Sequence, residues 1–242
     1  MRPLLAALAV LLLTACTLPV EGTESTPAPP ATGTAKLITA ELAKVRVVPN
    51  RPKVPGYQRD RFGQTWSDNH AGVGGHNGCD TRNDMLAARL TAVQYRGHTK
   101  CVVTAGVLTS DPYTGRRIEF RKADASKLQI DHIYPLARAW DMGASTWPTQ
   151  RRVDFANDES ANLLVVDGSS NASKSDEGPG EWLPLNRTYR CTYVLEYLRV
   201  AAKYTAAWYP PGRSVHCTSK NRASVAAWTP VDCCASSIVS GA

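Results

Sequence analysis

The sequence predicts a single folded domain of the α+β class, preceded by an N-terminal segment outside the fold. Short apolar or alternating runs have the length of β-strands, and two of them flank a turn in the manner of a hairpin. Residues 191–208 place apolar side chains at helical spacing and form the clearest helix of the chain. The 242 residues contain no visible internal repeat, so one hydrophobic core is expected.

Local signals place the elements along the chain. Residues 68–78 hold four glycines and two histidines and are predicted as a loop. Thr81 and Asp84 have the spacing of a capping box, which predicts a helix that begins there and runs to Leu90. The remaining predictions are strands at 101–108, 117–121, 128–134 and 162–166, hairpin and strand-end turns at 111–115 and 167–170, and helices at 136–142, from Asn171 onward and at 191–208.

The N-terminus has the features of an export signal. Met1 and Arg2 give a positive start, and the apolar run 4–13 is too short to span a bilayer as a mature helix. The tetrapeptide Leu-Thr-Ala-Cys that ends at Cys16 resembles the bacterial lipobox, whose Cys is lipidated after cleavage. We therefore predict a signal peptide over 1–16 and an exported protein. It is lipid-anchored through Cys16 to the outer face of a bacterial membrane, or secreted if Cys16 carries no lipid.

Residues 17–56 are predicted as a flexible tether and arm. The part up to about residue 35 is rich in Thr, Pro, Ala, Gly and Ser, a composition typical of linkers. A mixed helix-like pattern over 37–48 ends at Pro49, and further prolines mark an irregular arm. The folded domain is expected to span residues 57–242.

The charge of the chain favours contact with polyanions. Lys and Arg number 28 against 21 Asp and Glu, which gives a net charge of +7 and a pI of about 9.1. A basic surface raises the local concentration of nucleic acid or anionic lipid. Many exported proteins are basic without such a partner, so the charge does not identify a function by itself.

The cysteines predict disulfide bonds. With Cys16 set aside for lipid, six of the seven remain, and an even number in an exported protein indicates cystines. The preferred pairing is Cys79 with Cys101, and Cys191 with one of the three C-terminal cysteines. Zinc binding is the competing interpretation, but the sequence has no Cys-x-x-Cys pair.

Two segments carry the residues that suit phosphodiester chemistry. Asp131 offers a hard oxygen ligand for Mg²⁺, and the adjacent His132 has a side chain able to take a proton from water near neutral pH. Asn162 and Asn171 follow nine residues apart, and Lys174 lies just beyond, where a helix start and a cation both favour phosphate. This set predicts metal-assisted phosphodiester hydrolysis.

The same residues resemble the motif of the HNH endonuclease family. Asp-His-Ile-x-Pro at 131–135, Asn-Leu at 162–163 and Asn-x-x-Lys-x-Asp at 171–176 stand in the family's order. The similarity extends to an exported actinobacterial-type subfamily and covers roughly residues 57–204. Its landmarks are Cys-Asp-Thr-Arg-Asn at 79–83, Asp-Pro-Tyr-Thr-Gly at 111–115, Arg-x-x-Phe-Ala-Asn-Asp at 152–158 and Glu-Trp-Leu-Pro at 181–184.

The resemblance implies a ββα-metal core embedded in additional helices and a β-hairpin, and it implies a role for each residue of the motif. His132 corresponds to the general base, and Asp131 and Asn171 correspond to the ligands of one divalent metal, Mg²⁺ or alternatively Mn²⁺. Asn162 corresponds to the residue that orients the catalytic His, and Lys174 to a basic residue near the phosphate.

Two departures from the family pattern bear on the site. The positions where many HNH proteins carry zinc-binding cysteines hold Asp167 and Ser170 here, so no structural zinc is expected. Ser175 stands where Gly is common, and a positive φ there would cost about 1 kcal/mol. Arg82 and Arg152 are further candidate phosphate contacts, either of which could instead pair with a carboxylate.

The predicted function is hydrolysis of DNA, with RNA as a further substrate, at low sequence specificity. The predicted partners are nucleic acid as substrate and the membrane through the lipid anchor, and no protein partner is evident. Two alternatives stay open: a non-catalytic surface lipoprotein that binds polyanions, and a hydrolase of another phosphodiester such as a teichoic acid linkage.

Overall fold

The computed structural model describes residues 32–207, which form an α+β domain, as predicted. Its helices are Thr32–Leu42 (α1), Thr81–Arg89 (α2), Leu136–Asp141 (α3), Thr149–Ala156 (α4), Gly168–Lys174 (α5) and Arg190–Tyr204 (α6). Its strands are Thr91–Arg96 (β1), Val102–Leu108 (β2), Ile118–Arg121 (β3), Leu128–His132 (β4) and Leu163–Asp167 (β5). The predicted signal peptide with Cys16 and the tether up to residue 31 lie outside the described residues.

The first sheet is antiparallel in the order β1-β2-β3. The predicted hairpin is its β2–β3 half. Strand β1 was not predicted, because its pairing with β2 is irregular. Ala92 has a φ of 49°, and the register shifts between Thr91 and Gln94. This irregularity breaks the alternation of apolar and polar residues that marks a regular strand.

The second sheet contains only β4 and β5, which run antiparallel with His132 opposite Leu163. Helix α5 follows β5 directly, so β4, β5 and α5 form one local unit in space although 30 residues separate the two strands. The helix begins at Gly168, three residues before the predicted start at Asn171. The reason is that Asp167 caps it, since Asp167 Oδ1 accepts a hydrogen bond from the Ser170 amide at 2.8 Å.

Helix α2 also begins one residue earlier than its predicted capping box. Asp80 is the N-cap, and its Oδ1 accepts a hydrogen bond from the Asn83 amide at 2.9 Å. Thr81, the predicted cap, is buried and its hydroxyl donates to the Ser67 carbonyl at 2.9 Å. Both corrections have one physical cause: a carboxylate preceding the helix satisfies the free amides of the first turn.

Residues 32–56, predicted as part of the tether and arm, pack against the domain. Helix α1 contacts α6, and Ile38 is fully buried in the larger of two hydrophobic clusters. Arg51 forms ion pairs with Asp141 at 2.8 Å and Asp176 at 2.6 Å. The packed region therefore begins well before Tyr57, and the Pro-rich arm is fixed by charge pairing as well as by apolar contact.

The larger hydrophobic cluster is built around α6. The predicted buried face of this helix is confirmed for Val194, Tyr197, Leu198 and Ala201, each 0–1% exposed. The helix ends at Tyr204, because Thr205 adopts a left-handed conformation, and Trp208 lies outside the described residues. The smaller cluster lies between α2, the first sheet and the second sheet.

The predicted disulfide between Cys79 and Cys101 is confirmed. It joins the turn before α2 to the start of β2, across a sequence separation of 22. Cys191 is also disulfide-bonded, and its predicted partners, Cys217, Cys233 and Cys234, lie outside the described residues. Within residues 32–207, no helix is both long and apolar enough to cross a membrane.

Candidate active site

A cleft of about 530 Å³ lies at the end of β4, beside α5. Asp131 and His132 line it from β4, and Asn171 lines it from α5. These three predicted site residues therefore meet in one cavity. The segment before α2 contributes a further wall through Tyr57, Arg59 and Trp66. The remaining lining residues are Arg82, Gln129, Ile130, Pro135, Leu136, Ala137, Ser175 and Asp176.

His132 is held in one tautomer by a backbone carbonyl. Its Nε2 lies 2.9 Å from the Ala156 carbonyl oxygen, which can only accept a hydrogen bond, so Nε2 donates. The neutral ring then has its lone pair on Nδ1. Burial, and after it the positive charge of Arg59, lowers the pKa of His132 to about 3, which keeps the ring neutral at physiological pH.

The ring of Trp66 lies parallel to that of His132. Their centroids are 5.6 Å apart and their planes differ by 6°. The Arg59 guanidinium carbon lies 5.9 Å from the centroid of the Trp66 ring. Trp66 thus fixes the plane of the imidazole, and the hydrogen bond to Ala156 fixes its rotation within that plane.

Asn162 is fully buried just before β5, and its side chain joins the residues that follow β4 to the end of α4. Its Oδ1 accepts from the Tyr134 amide at 2.9 Å, and its Nδ2 donates to the Phe155 carbonyl at 3.1 Å. No described contact joins its side chain to the His132 ring. Its geometric effect on His132 is indirect, because Phe155 precedes Ala156, whose carbonyl holds the imidazole.

Lys174 lies in the interior rather than on the wall of the cleft. Its side chain is fully buried, and its ammonium is 3.0 Å from the Asp131 carboxylate and 2.9 Å from the His132 carbonyl oxygen. The Tyr113 hydroxyl donates to the same carboxylate at 2.5 Å. Burial raises the pKa of Asp131 and lowers that of Lys174, and their mutual attraction opposes both shifts.

The oxygens of Asp131 and Asn171 fit a hard divalent cation in their chemistry. Asn171 Nδ2 donates to Gln129 Oε1 at 2.9 Å, and its Oδ1 accepts no hydrogen bond from residues 32–207. The fit has a constraint, because a cation at Asp131 has to share the carboxylate with the Lys174 ammonium. In the described part of the chain, no group of three or more His, Cys, Asp or Glu side chains is arranged around a common metal position.

The two arginines predicted near phosphate have different surroundings. Arg82 lines the cleft and forms no ion pair with a described residue, although burial lowers the pKa of its guanidinium. Arg152 does not line the cleft. It donates to the carbonyls of Arg61 (2.7 Å) and Trp147 and to the Thr149 hydroxyl, and it lies over the Trp140 ring, so its donors are used within the fold.

The wall formed by Tyr57, Arg59 and Trp66 is not among the features predicted from the sequence. These residues lie within the stretch Tyr-Gln-Arg-Asp-Arg-Phe-Gly-Gln-Thr-Trp at 57–66, where aromatic and basic residues alternate with polar ones. This mixture is the available signal, since aromatic and basic side chains together are common where proteins contact nucleic acid.

Comparison with known proteins places the chain in a nuclease family. Residues 80–208 match the family of the C-terminal domain of GmrSD restriction endonucleases, and the chain belongs to this family. It is also 36% identical over 179 residues to a protein of Arthroderma benhamiae named "Uncharacterized secreted protein", with coverage of 74% of this chain and 80% of that one. No solved structure matches the chain.

Proposed function

We propose that this protein is an exported, metal-dependent HNH-type endonuclease that hydrolyses phosphodiester bonds of DNA, with RNA as a further substrate, at low sequence specificity. One observation carries the proposal. A neutral imidazole, with Nε2 bonded to a carbonyl and Nδ1 left to accept a proton, lies in the same cleft as the oxygens of Asp131 and Asn171. Membership in a family of restriction endonuclease domains supports it.

The order of β4, β5 and α5 supports an HNH assignment. His132 ends the first strand, Asn162 precedes the second, and Asn171 lies on the helix that follows. We infer that these three elements are the ββα-metal core. Ser175, which replaces a common Gly, has a φ of 51°, as a Gly at this position would favour, and it ends the helix.

The charges that line the cleft favour an anionic ligand. The carboxylate of Asp131 is paired with Lys174, and that of Asp176 is paired with Arg51. Arg59 and Arg82 also line the cleft, and neither forms an ion pair with a described residue. Two cations without paired carboxylates attract a phosphate backbone, because the paired acids contribute little net charge.

The chain's own residues can perform the following chemistry. His132 Nδ1 takes a proton from water while the water oxygen bonds to phosphorus, the bond from phosphorus to the leaving oxygen breaks, and that oxygen takes a proton from solvent. Asp131 and Asn171 would hold one divalent ion, Mg²⁺ or Mn²⁺, which would supply positive charge against the developing charge of the phosphate. A bound phosphate also offsets the positive charge of Arg59. Because that charge lowers the pKa of His132, the phosphate makes the imidazole a stronger base.

Export is part of the proposal. The N-terminal features predict it, and the secreted relative in Arthroderma benhamiae is consistent with it. Lipid attachment at Cys16 stays a prediction. Mass spectrometry of the membrane fraction would detect a lipidated N-terminal Cys16, whereas a soluble secreted form would begin at another residue.

The test of the nuclease proposal is degradation of plasmid DNA with Mg²⁺ present. We expect His132→Ala to lower the rate by about two to four orders of magnitude, since it removes the general base. His98→Ala is the matched control, because His98 is exposed in the turn between β1 and β2. Activity that survives in His132→Ala at the rate of the His98→Ala control would refute the base assignment.

The ion pair between Asp131 and Lys174 favours a second candidate function. An acid already neutralised by a buried ammonium is a weaker metal ligand, which suits a non-catalytic protein that binds polyanions. Binding of DNA without cleavage across a panel of divalent metals, with the fold intact, would select this function. Cleavage of a non-nucleic phosphodiester in a substrate panel would instead change the substrate class.

A further inference from the structure

The segment 57–66, here called the cleft arm, is a fixed part of the active-site wall that lies outside the region matched by the family, residues 80–208. Phe62 anchors it, with 1% exposure and a ring centroid 5.9 Å from that of Phe155. Gly63 lies so close to α4 that a Cβ there would be 2.5 Å from a Val153 methyl group. The arm is therefore held against the domain.

Arg152 supplies a second anchor from α4. Its Nε donates to the Arg61 carbonyl oxygen at 2.7 Å, within the same turn of the arm. This contact gives Arg152 a role in positioning the arm, in place of the phosphate contact predicted from sequence. Held at Phe62, Gly63 and Arg61, the arm presents Tyr57, Arg59 and Trp66 to the cleft.

The three presented side chains differ in what they can still bind. The Trp66 ring is occupied, because His132 stacks on it and Arg59 lies near it. Tyr57 is 38% exposed, and its aromatic neighbours Phe62 and Trp140 lie at 63° and 62° to it, so neither stacks parallel to its ring. Tyr57 is the aromatic side chain of the arm that remains able to stack on a planar ligand.

We infer that the cleft arm binds an unpaired nucleic acid strand, with Tyr57 stacked on a base and Arg59 in contact with the adjoining phosphate. Stacking on a side chain requires a base whose face is exposed, which a continuous duplex does not offer. Arg59 is exposed and forms no ion pair within residues 32–207. The inference rests on the proposed function for its substrate class, and it adds a preference for single strands over duplex.

Binding is tested with the full mature chain in a chelator, which removes metal-dependent cleavage and leaves His132 stacked on Trp66. The probes are a fluorescent single-stranded oligonucleotide, as DNA and as RNA, and the matching DNA duplex at one fixed salt concentration. We expect tighter binding of the single strands. Tyr57→Leu should weaken that binding by about 5- to 100-fold with little effect on the duplex, and Tyr57→Phe should recover most of the loss.

Arg59→Gln tests the phosphate contact, with Arg61→Gln as its control in the same turn. The Arg61 side chain is exposed and does not line the cleft, so both variants lose one charge and only one loses the contact. We expect the Arg59→Gln variant to bind single strands several-fold more weakly than the Arg61→Gln variant. The unfolding temperature of each variant establishes that the fold is retained.

The outcomes separate this inference from the proposed function. Equal affinity for duplex and single strand, or Tyr57→Leu and Arg59→Gln variants that bind as tightly as their parent, would overturn the inference even if the unmutated chain cleaves DNA. A chain that cleaves no nucleic acid, yet loses single-strand affinity in these variants, would overturn the nuclease proposal and leave the arm's binding role in place.

Discussion

The Asp131 carboxylate and the Lys174 ammonium lie 3.0 Å apart in the interior of the domain, with side chains 6% and 0% exposed. Lys174 also donates to the carbonyl of His132, so one ammonium holds both the acid and the backbone at the end of β4. The pair joins α5 to β4 and sets the position of Asp131 at the edge of the cleft.

A double-mutant cycle on this pair tests how strongly the two charges depend on each other. Asp131→Asn and Lys174→Met should each cost about 3–5 kcal/mol, because each leaves an unpaired charge in the interior. The double variant should cost clearly less than the sum of the two. Urea denaturation gives the free energies of unfolding. Lys127→Met, which breaks an exposed pair with Asp124, should change stability by about 1 kcal/mol or less.

Additive costs at Asp131 and Lys174 would mean that the pair is not coupled in solution. In that case Lys174 would be available to a phosphate, as the sequence predicted, and the interior geometry of the site would need to be different.

Asn162→Ala should both destabilise the fold and impair the site. It removes the acceptor of the Tyr134 amide and the donor to the Phe155 carbonyl, at about 1–3 kcal/mol for each buried group left unpaired. Activity should fall as well, since the neighbouring Ala156 carbonyl orients His132. Asn162→Asp should have a smaller effect on the Tyr134 side, because it keeps an acceptor.

Urea denaturation measures the loss of stability and the nuclease rate measures the loss of activity. Asn69→Ala, at an exposed loop position, is the control. Full activity in Asn162→Ala would contradict the orienting role.

Removing the Cys79–Cys101 disulfide by double substitution with Ser should cost about 3 kcal/mol. The bond closes a loop with a sequence separation of 22. Cross-linking a loop of this length lowers the conformational entropy of the unfolded chain, which stabilises the folded state by about 3 kcal/mol. The midpoint of urea denaturation in oxidising buffer is the measurement. A midpoint that equals that of the unmutated protein would show that α2 and β2 hold together without the bond.

Glu159 should make stability depend on pH. Burial, followed by the negative charges of Asp84 and Asp158, raises the pKa of its carboxyl to about 7 from an ordinary value of 4.5. Between these pH values the folded state binds more protons than the unfolded state, so this group lowers stability as pH rises through the window. His70 lies 4.0 Å away, and burial lowers its pKa, which weakens the positive charge that it offers to Glu159.

Glu159→Gln stays neutral and should therefore match the unmutated protein near pH 4.5 and exceed its unfolding temperature at pH 8. Glu119→Gln, at an exposed position on β3, should leave the unfolding temperature unchanged at both pH values. An unchanged difference between Glu159→Gln and the parent across this pH range would mean that Glu159 titrates normally.

The sequence by itself determined the elements whose signals are local. The buried face of α6 followed from helical spacing and the β2–β3 hairpin from alternation around a turn. The Cys79–Cys101 pair was the preferred one among several pairings that the cysteines allowed. The resemblance to the HNH motif also implied that Asp131, His132 and Asn171 lie together. The unit β4-β5-α5 has a short path between its second strand and helix, and antiparallel pairing brings the ends of the two strands together.

Only the tertiary structure decided what surrounds those residues. Trp66 stacks on His132 from 66 positions earlier in the chain, and nothing local to either residue encodes that contact. Lys174 has the sequence character of a surface cation, yet the packing of α5 on β4 turns it inward, where Asp131 offsets the cost of burial. Periodicity and capping depend on neighbours within a few residues of the chain. The partner of a buried charge or an aromatic ring depends instead on which distant segments the tertiary fold brings into contact.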